Sequence, residues 1–322
     1  MNNKEKIQAV ALRTIEIETA TIRDLKSSIN EDFNKCINAI FQSKGRVIIT
    51  GIGKSAIIAQ KIVSTLNSTG TPSLFMHAAD AIHGDLGMIT PEDILCCISK
   101  SGETSEIKVL VPLLRNLGNP LIGMVARKDS YLGMNANFIL HTPVTQEADP
   151  NNLAPTASTT AQMVLGDAMA SCLLALRGFT QQDFAQFHPG GTLGKQLYLR
   201  IRDIYPKNEK PLVYPDTKIR ETIIEMTSRR LGVAVVADAD GQIVGIITDG
   251  DLRRMLEREE DTRGLLAKEI MSRNPKTIEA DQLAVKALGI MRSNSITQLI
   301  VVENKKYVGV IHLHDLISEG LI

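Results

Sequence analysis

The feature that most narrows the fold is a set of five short runs, at 46–50, 73–77, 93–99, 120–126 and 138–144, that are apolar nearly throughout. A strand with one face in water alternates apolar and polar residues, whereas a strand covered on both faces does not. Segments with helical spacing lie between the runs at 54–68, 104–118 and 129–136, and a longer one follows at 159–177. Strand and helix in alternation predict a series of βαβ units, hence an α/β fold with a doubly wound parallel sheet of about five strands. A helical pattern over 5–42 precedes it.

The character changes past Leu199. The stretch 202–215 carries three prolines and many charges, which marks a linker and a domain boundary. Beyond it, Val244-Gly245-Ile246-Ile247-Thr248-Asp249-Gly250-Asp251-Leu252 recurs 64 residues later as Val308-Gly309-Val310-Ile311-His312-Leu313-His314-Asp315-Leu316. Two copies of a strand–turn–strand–helix unit, packed on each other, account for the C-terminal third. The expected domains are 1–201, 202–264 and 265–322.

Composition excludes several functions. Lysine plus arginine equals aspartate plus glutamate at 36 each, so no net field draws nucleic acid or an anionic membrane. No apolar run approaches the roughly 20 residues that cross a bilayer. The segment from Met1 to Lys6 lacks the hydrophobic region of a signal peptide. Cys36, Cys96, Cys97 and Cys172 have no CxxC spacing, which argues against a zinc site or a disulfide framework. A cytoplasmic setting is expected, with neither nucleic acid nor membrane as partner.

In an open parallel sheet a ligand binds outside the carboxyl ends of the strands. Gly51-Ile52-Gly53-Lys54-Ser55 follows the first run, and His77 with His83-Gly84-Asp85 follows the second. Ser99-Lys100-Ser101-Gly102-Glu103-Thr104-Ser105-Glu106 follows the third, and Thr145-Gln146-Glu147 the fifth. The third segment leads from strand into helix through hydroxyls. Ser99, Ser101, Thr104 and Ser105 can donate to phosphate oxygens beside the positive end of a helix, leaving Glu106 for chemistry. Taken singly, each group has a plainer role as a helix cap, a solvated lysine or a strand-end histidine. Their convergence on one edge favours a site. A Walker A loop fails because Ile48 stands where its first glycine belongs, and a dinucleotide fingerprint lacks the acid that closes the second strand. A small phosphosugar, with Lys54 as a fixed cation, fits better.

At these residues the chain resembles the arabinose-5-phosphate isomerase family. The likeness runs in order through Gly51-Ile52-Gly53-Lys54-Ser55, Ser68-Thr69-Gly70-Thr71-Pro72, His83-Gly84-Asp85-Leu86-Gly87-Met88 and Ser101-Gly102-Glu103-Thr104-Ser105-Glu106. It continues through Leu153-Ala154-Pro155-Thr156, Gly166-Asp167-Ala168, His188-Pro189-Gly190-Gly191 and Thr248-Asp249-Gly250-Asp251-Leu252-Arg253-Arg254. That family joins a SIS (sugar isomerase) domain to a pair of CBS modules. The resemblance implies interconversion of D-ribulose 5-phosphate and D-arabinose 5-phosphate, the first step toward Kdo and lipopolysaccharide. It carries catalytic roles to Lys54, Glu106, Glu147 and His188. It adds Gly70, Thr71, His77 and His83 to the substrate contacts that the loops nominate at Gly53, Ser55, Ser99, Ser101, Thr104 and Ser105. No cofactor is required, although His77 is a candidate zinc position. SIS domains complete their sites across subunit contacts, so a homotetramer is implied, with histidines supplied by a neighbouring chain. The chain departs from the family at Ala56-Ile57-Ile58-Ala59 and at Asp149, which bear on pocket shape.

Aldose–ketose isomerisation moves one proton between C1 and C2 and another between O1 and O2. It needs a base, a group that steadies the oxyanion and a holder for the phosphate. Glu147 or Glu106 is the expected carbon base, with Lys54 stabilising the enediolate and His188 assisting ring opening or the oxygen proton transfer. In the repeats, Thr248 and Asp251 match the Thr-x-x-Asp with which CBS modules contact ribose and phosphate. The second copy keeps Asp315 but has His312 in place of the threonine. An adenine nucleotide or the downstream CMP-Kdo is the implied effector, the alternative being a structural dimerisation unit that binds no ligand. The alternatives are an isomerase of a heptose or hexulose phosphate, or a non-catalytic phosphosugar or nucleotide sensor. Against a DNA-acting sensor, the sequence has no helix-turn-helix segment or basic patch.

Overall fold

Two helices, α1 (Asn3–Asp24) and α2 (Glu31–Gln42), precede the first strand in the computed structural model, which describes residues 2–259 and 261–321. Both begin on asparagine. Asn2 and Glu5 exchange side-chain-to-backbone bonds of 2.9 Å in a capping box, and Asn30 takes the N–H groups of Asp32 and Phe33. Strands and helices then alternate: β1 (Val47–Gly51), α3 (Lys54–Ser68), β2 (Ser73–His77), α4 (Ala78–Ala81), β3 (Ile94–Ile98), α5 (Ser105–Asn116), β4 (Leu121–Val125), α6 (Tyr131–Asn135), β5 (Phe138–His141) and α7 (Ala157–Leu176). The strands are all parallel, in the order β2-β1-β3-β4-β5. The expected doubly wound sheet is present: β2 matches its run, β3, β4 and β5 are shortened, and β1 is shifted by one residue to end on Gly51.

Consecutive strand residues face opposite layers, which is why the runs are apolar throughout. Ile49, Cys96 and Ile122 pack with Phe33 and Ile40 of α2, Ile62 of α3 and Leu165 of α7. Ile48, Leu95, Cys97 and Leu121 pack on the other side with Ile107, Leu110 and Leu114 of α5 and Leu132 of α6. Burial pushes the Cys97 thiol up to about 12, so this cysteine fills space and is no nucleophile. The apolar helix α7 corrects one expectation, since its 20 residues have the length and apolarity to cross a membrane. Packing accounts for that composition: Ala161, Leu165, Met169 and Leu173 are buried, and α7 lies against α1, α2 and α3.

Contacts divide the chain at Phe184/Ala185, earlier than the 201/202 boundary expected from composition. Helix α8 (Gln181–Phe187) spans the division, and the second unit continues with α9 (Thr192–Tyr198), β6 (Leu212–Val213), α10 (Ile219–Arg229), β7 (Val233–Ala237), β8 (Ile243–Thr248) and α11 (Asp249–Arg258). It closes with α12 (Ala267–Ile270), β9 (Thr277–Glu279), α13 (Ala284–Asn294), β10 (Gln298–Glu303), β11 (Lys306–His312) and α14 (Leu313–Ser318). Helix α9 belongs here because it packs on α13 and Lys195 Nζ donates to the Glu319 carbonyl at 2.7 Å. The two repeats form sheets β6-β7-β8 and β11-β10-β9, each an antiparallel hairpin with a short parallel strand added. They share one core, in which Val233 and Val235 of the first copy bury with Ile300, Val302 and Val310 of the second.

Candidate active site

With strand order 2-1-3, the chain leaves β1 to one side and returns on the other, so the loops after β1 and β3 frame a crevice at the carboxyl edge. They start level, since Gly51 is in register with His77 on one side and Ile98 on the other. Gly53 turns the chain at a φ of 58°, a left-handed conformation suited to glycine, and Lys54 begins α3 directly after it. Lys54 is exposed and, among the described residues, makes no ion pair. Ser55 Oγ donates to Gln162 Oε1 of α7 at 3.3 Å.

The loop after β3 is held by its own hydroxyls. Buried Ser99 Oγ accepts from the Gly102 N–H at 3.1 Å, and Ser101 Oγ from that of Glu103 at 3.2 Å. Gly102 has a φ of 66°, and a Cβ there would lie 2.2 Å from Ser130 Oγ, so the position admits only glycine. Glu103 accepts the Tyr131 N–H at 2.7 Å and pairs with Lys108 at 2.9 Å, which fixes the loop to α6 and α5. Helix α5 then opens on Thr104, whose side chain makes no capping bond. Ser105 Oγ donates to Glu106 Oε2 at 3.1 Å. The partly exposed Glu106 carboxyl is held below the usual range by its own N–H and by Ser105.

Glu147 stands in different surroundings. It is 1 % exposed, and each carboxylate oxygen is engaged. Oε1 accepts from Lys100 Nζ at 2.7 Å, while Oε2 accepts the N–H groups of Thr156 at 2.8 Å and Ser158 at 3.1 Å and the Thr156 hydroxyl at 3.3 Å. Burial pushes this carboxyl upward, but Lys100 and the bonds from Ser158 and Thr156 outweigh it and hold it at about 2. A full anion therefore sits at the start of α7. Sequence reasoning missed Lys100. The one available signal was a lysine inside a loop otherwise built of hydroxyls.

The remaining expected residues are distributed unevenly. His77 ends β2 level with Gly51, half-buried, with Nδ1 3.7 Å from Asp80 Oδ2, and exposed His83 follows α4 on the same side. Gly70 and Thr71 precede β2 and so lie at the amino edge, a strand's length or about 13 Å from the crevice. Within one protomer the structure therefore does not bring them to Lys54 and Glu106, because α3 runs back against β1 and delivers the chain to the opposite edge. Thr71 is buried there, and a Cβ on Gly70 would meet the Phe179 ring at 2.6 Å. His188 follows α8 in the second unit, half-buried, where Gly194 lets the chain approach its carbonyl. Beside His77, the candidate zinc position, stands Asp80, and among the described residues no three His, Cys, Asp or Glu cluster for a metal.

In the second unit, Thr248 and Asp251 form the capping box of α11. Thr248 Oγ1 donates to Asp251 Oδ2 at 2.7 Å, and Asp251 Oδ1 accepts from Arg254 at 2.6 Å and Ser272 at 2.8 Å. Asp315 plays the same part for α14, taking the His312 N–H at 2.7 Å and Asn208 Nδ2 at 2.6 Å. A cleft of about 490 Å³ beside the first box is lined by Asp251, Arg254, Arg258 and Ser272.

Fold and crevice together define an α/β domain with a crevice at the carboxyl edge of its parallel sheet, followed by a paired strand–helix repeat. The matching family models agree, the SIS domain over residues 39–172 and the CBS domain over residues 201–258 and 267–321. The chain is 44 % identical to arabinose 5-phosphate isomerase KdsD of Yersinia pestis over 98 % of its own length and 96 % of the relative's. It is 44 % identical to the Pseudomonas aeruginosa protein of that name, with both chains covered fully, and 42 % identical to that of Escherichia coli K12 over 98 % and 96 %. A solved structure of an E. coli CFT073 protein in complex with arabinose 5-phosphate superimposes with a TM-score of 0.56 at 39 % identity, covering 59 % of this chain and all of that one. The chain belongs to the arabinose 5-phosphate isomerase family.

Proposed function

We propose that this chain interconverts D-arabinose 5-phosphate and D-ribulose 5-phosphate through an enediol. The observation that carries this is the meeting, at the point where strand order reverses, of an uncapped helix start, an unpaired lysine and a partly exposed carboxylate. The uncapped start of α5 and the hydroxyls before it hold the phosphate. Lys54 steadies the negative charge that develops on the sugar oxygens. Glu106, ionised and partly exposed, moves the proton between C1 and C2. Glu147 is the weaker candidate for that step. Both its oxygens accept hydrogen bonds already, and a carboxylate held near 2 is a poor base at neutral pH. Its part is to hold Lys100 and the start of α7. His188 assists ring opening and the transfer between O1 and O2.

The reaction needs no metal and no cofactor. The setting that goes with this activity is the cytoplasm, as a homotetramer supplying the first step of Kdo and lipopolysaccharide synthesis. An adenine nucleotide or CMP-Kdo would act at the cleft beside Asp251 and Arg254, whose walls carry two arginines and the carboxylates of Asp251, Glu259 and Glu269. Such a ligand must draw Asp251 out of its present bonds, so its binding should loosen the start of α11. The deciding experiment is proton NMR of the protein with arabinose 5-phosphate in D₂O with EDTA present. Ribulose 5-phosphate carrying deuterium at C1 is expected. Binding of the sugar phosphate without turnover would replace this reading with that of a sensor.

A further inference from the structure

Lys100 lies in the loop that seats the phosphate, yet its ammonium is turned to the buried Glu147 carboxylate at 2.7 Å. Its side chain stays 44 % exposed while that of Glu147 is fully buried. The start of the loop is fastened to β4 and the residue after it by two backbone bonds, the Lys100 carbonyl accepting the Ala126 N–H at 3.1 Å and the Ser99 N–H donating to the Met124 carbonyl at 3.0 Å. Glu147 is fastened in turn to Asn152, Thr156 and Ser158. One ion pair therefore ties the loop after β3 to the first turn of α7. Helix α7 also holds the glycine turn, through Gln162 and Ser55. Among the described residues, the hydroxyls of Ser99 and Ser101 make no such link and bond within the loop.

We infer that Lys100 is a positioning residue, a strut that sets the phosphate loop at a fixed distance from the Lys54 turn by way of Glu147 and α7. The inference rests on the isomerase reading for what the loop binds. Removing the strut leaves the hydroxyls and α5 in place but frees the loop to move against Lys54. A displacement of about 1 Å in such a site costs roughly 10²-fold in turnover per encounter.

The test compares Lys100→Met, Lys100→Arg and the double variant Lys100→Met/Glu147→Gln with the wild type. Calorimetric binding of arabitol 5-phosphate, which has no carbonyl to isomerise, reads the seat without turnover. Weaker binding by about tenfold or more is expected in both Met variants, with recovery in Lys100→Arg. In Lys100→Met the KM for arabinose 5-phosphate should rise more than kcat falls. The double variant carries no unpaired buried charge, so it reports the lost tether even where the single variant folds poorly. Unchanged arabitol 5-phosphate binding in either Met variant overturns the inference. Absence of isomerisation by the wild type, with the binding pattern intact, would overturn the isomerase reading alone.

Discussion

Two helices start at the same edge of the sheet, and their first turns are finished in opposite ways. Helix α7 is closed by the protein, for Glu147 supplies one carboxylate to the N–H groups of Thr156 and Ser158 and balances it with Lys100. Helix α5 is left open, with a threonine at its cap position that makes no capping bond. A helix start presents free N–H groups and a partial positive charge, and something must satisfy both. Where the chain provides the anion, the element becomes scaffold. At α5 the chain supplies only Glu106, which takes its own N–H, and the missing cap leaves the other N–H groups of the first turn for an anion from outside. Glu106 and Glu147 differ accordingly, although both are glutamates beside a helix N-terminus. One is partly exposed and steadied chiefly by its own N–H and Ser105, and the other is buried and bonded at both oxygens.

The largest expected effect tests the open end. Glu106→Gln should lower kcat by roughly 10²–10⁴-fold while leaving arabitol 5-phosphate binding within a few-fold of wild type. Steady-state kinetics beside calorimetry check it, and a variant with near-normal turnover would return the base to Glu147. The closed end should respond in stability as well as in binding. Glu147 has its folded value depressed from 4.5 to about 2, so its contribution is fully present above the unfolded value and is lost as pH falls from about 5 toward 2. The shift corresponds to about 3 kcal/mol at neutral pH, an order-of-magnitude figure. Glu147→Gln should therefore lower stability at pH 7 and flatten the acid limb of a urea-denaturation series between pH 5 and 2. An acid limb identical to wild type would mean that the charge at the start of α7 is idle. Asp93, also held at about 2 by Arg46, contributes in the same window and supplies the remaining slope.

The sheet was legible because a strand buried on both faces cannot alternate, and the repeat was legible because Thr248 to Leu252 returns as His312 to Leu316. The crevice was legible for the same reason, since loops that follow parallel strands must share an edge. What the sequence hid was the pairing across it. Lys100 and Glu147 are 47 residues apart, and no spacing rule joins a β3 loop to a segment that leaves β5 and crosses back over β4. Gly70-Thr71 entered through the family resemblance alone, and within one chain the pair follows a helix and so lies at the other edge of the sheet.

The smallest effect sets one substitution at two helix starts. Thr248 caps α11, its hydroxyl joined to Asp251 at 2.7 Å, and Thr104 occupies the same cap position of α5 with a buried hydroxyl that makes no hydrogen bond. Thr248→Ala should cost about 1 kcal/mol, the ordinary value of a lost cap. Thr104→Ala removes a buried polar atom that has gained nothing from the fold, so it should be close to neutral or slightly stabilising in the absence of ligand. Chemical denaturation of both variants measures the difference directly. Inorganic phosphate at saturating concentration then sharpens it, because a ligand that binds only the folded protein stabilises it. Phosphate should raise the midpoint of the wild type and of Thr248→Ala equally. A smaller rise in Thr104→Ala would place that hydroxyl among the groups that reach the anion. An equal rise would leave the task to the backbone N–H groups of α5, and a loss of about 1 kcal/mol without phosphate would show that the start of α5 is closed by the protein after all.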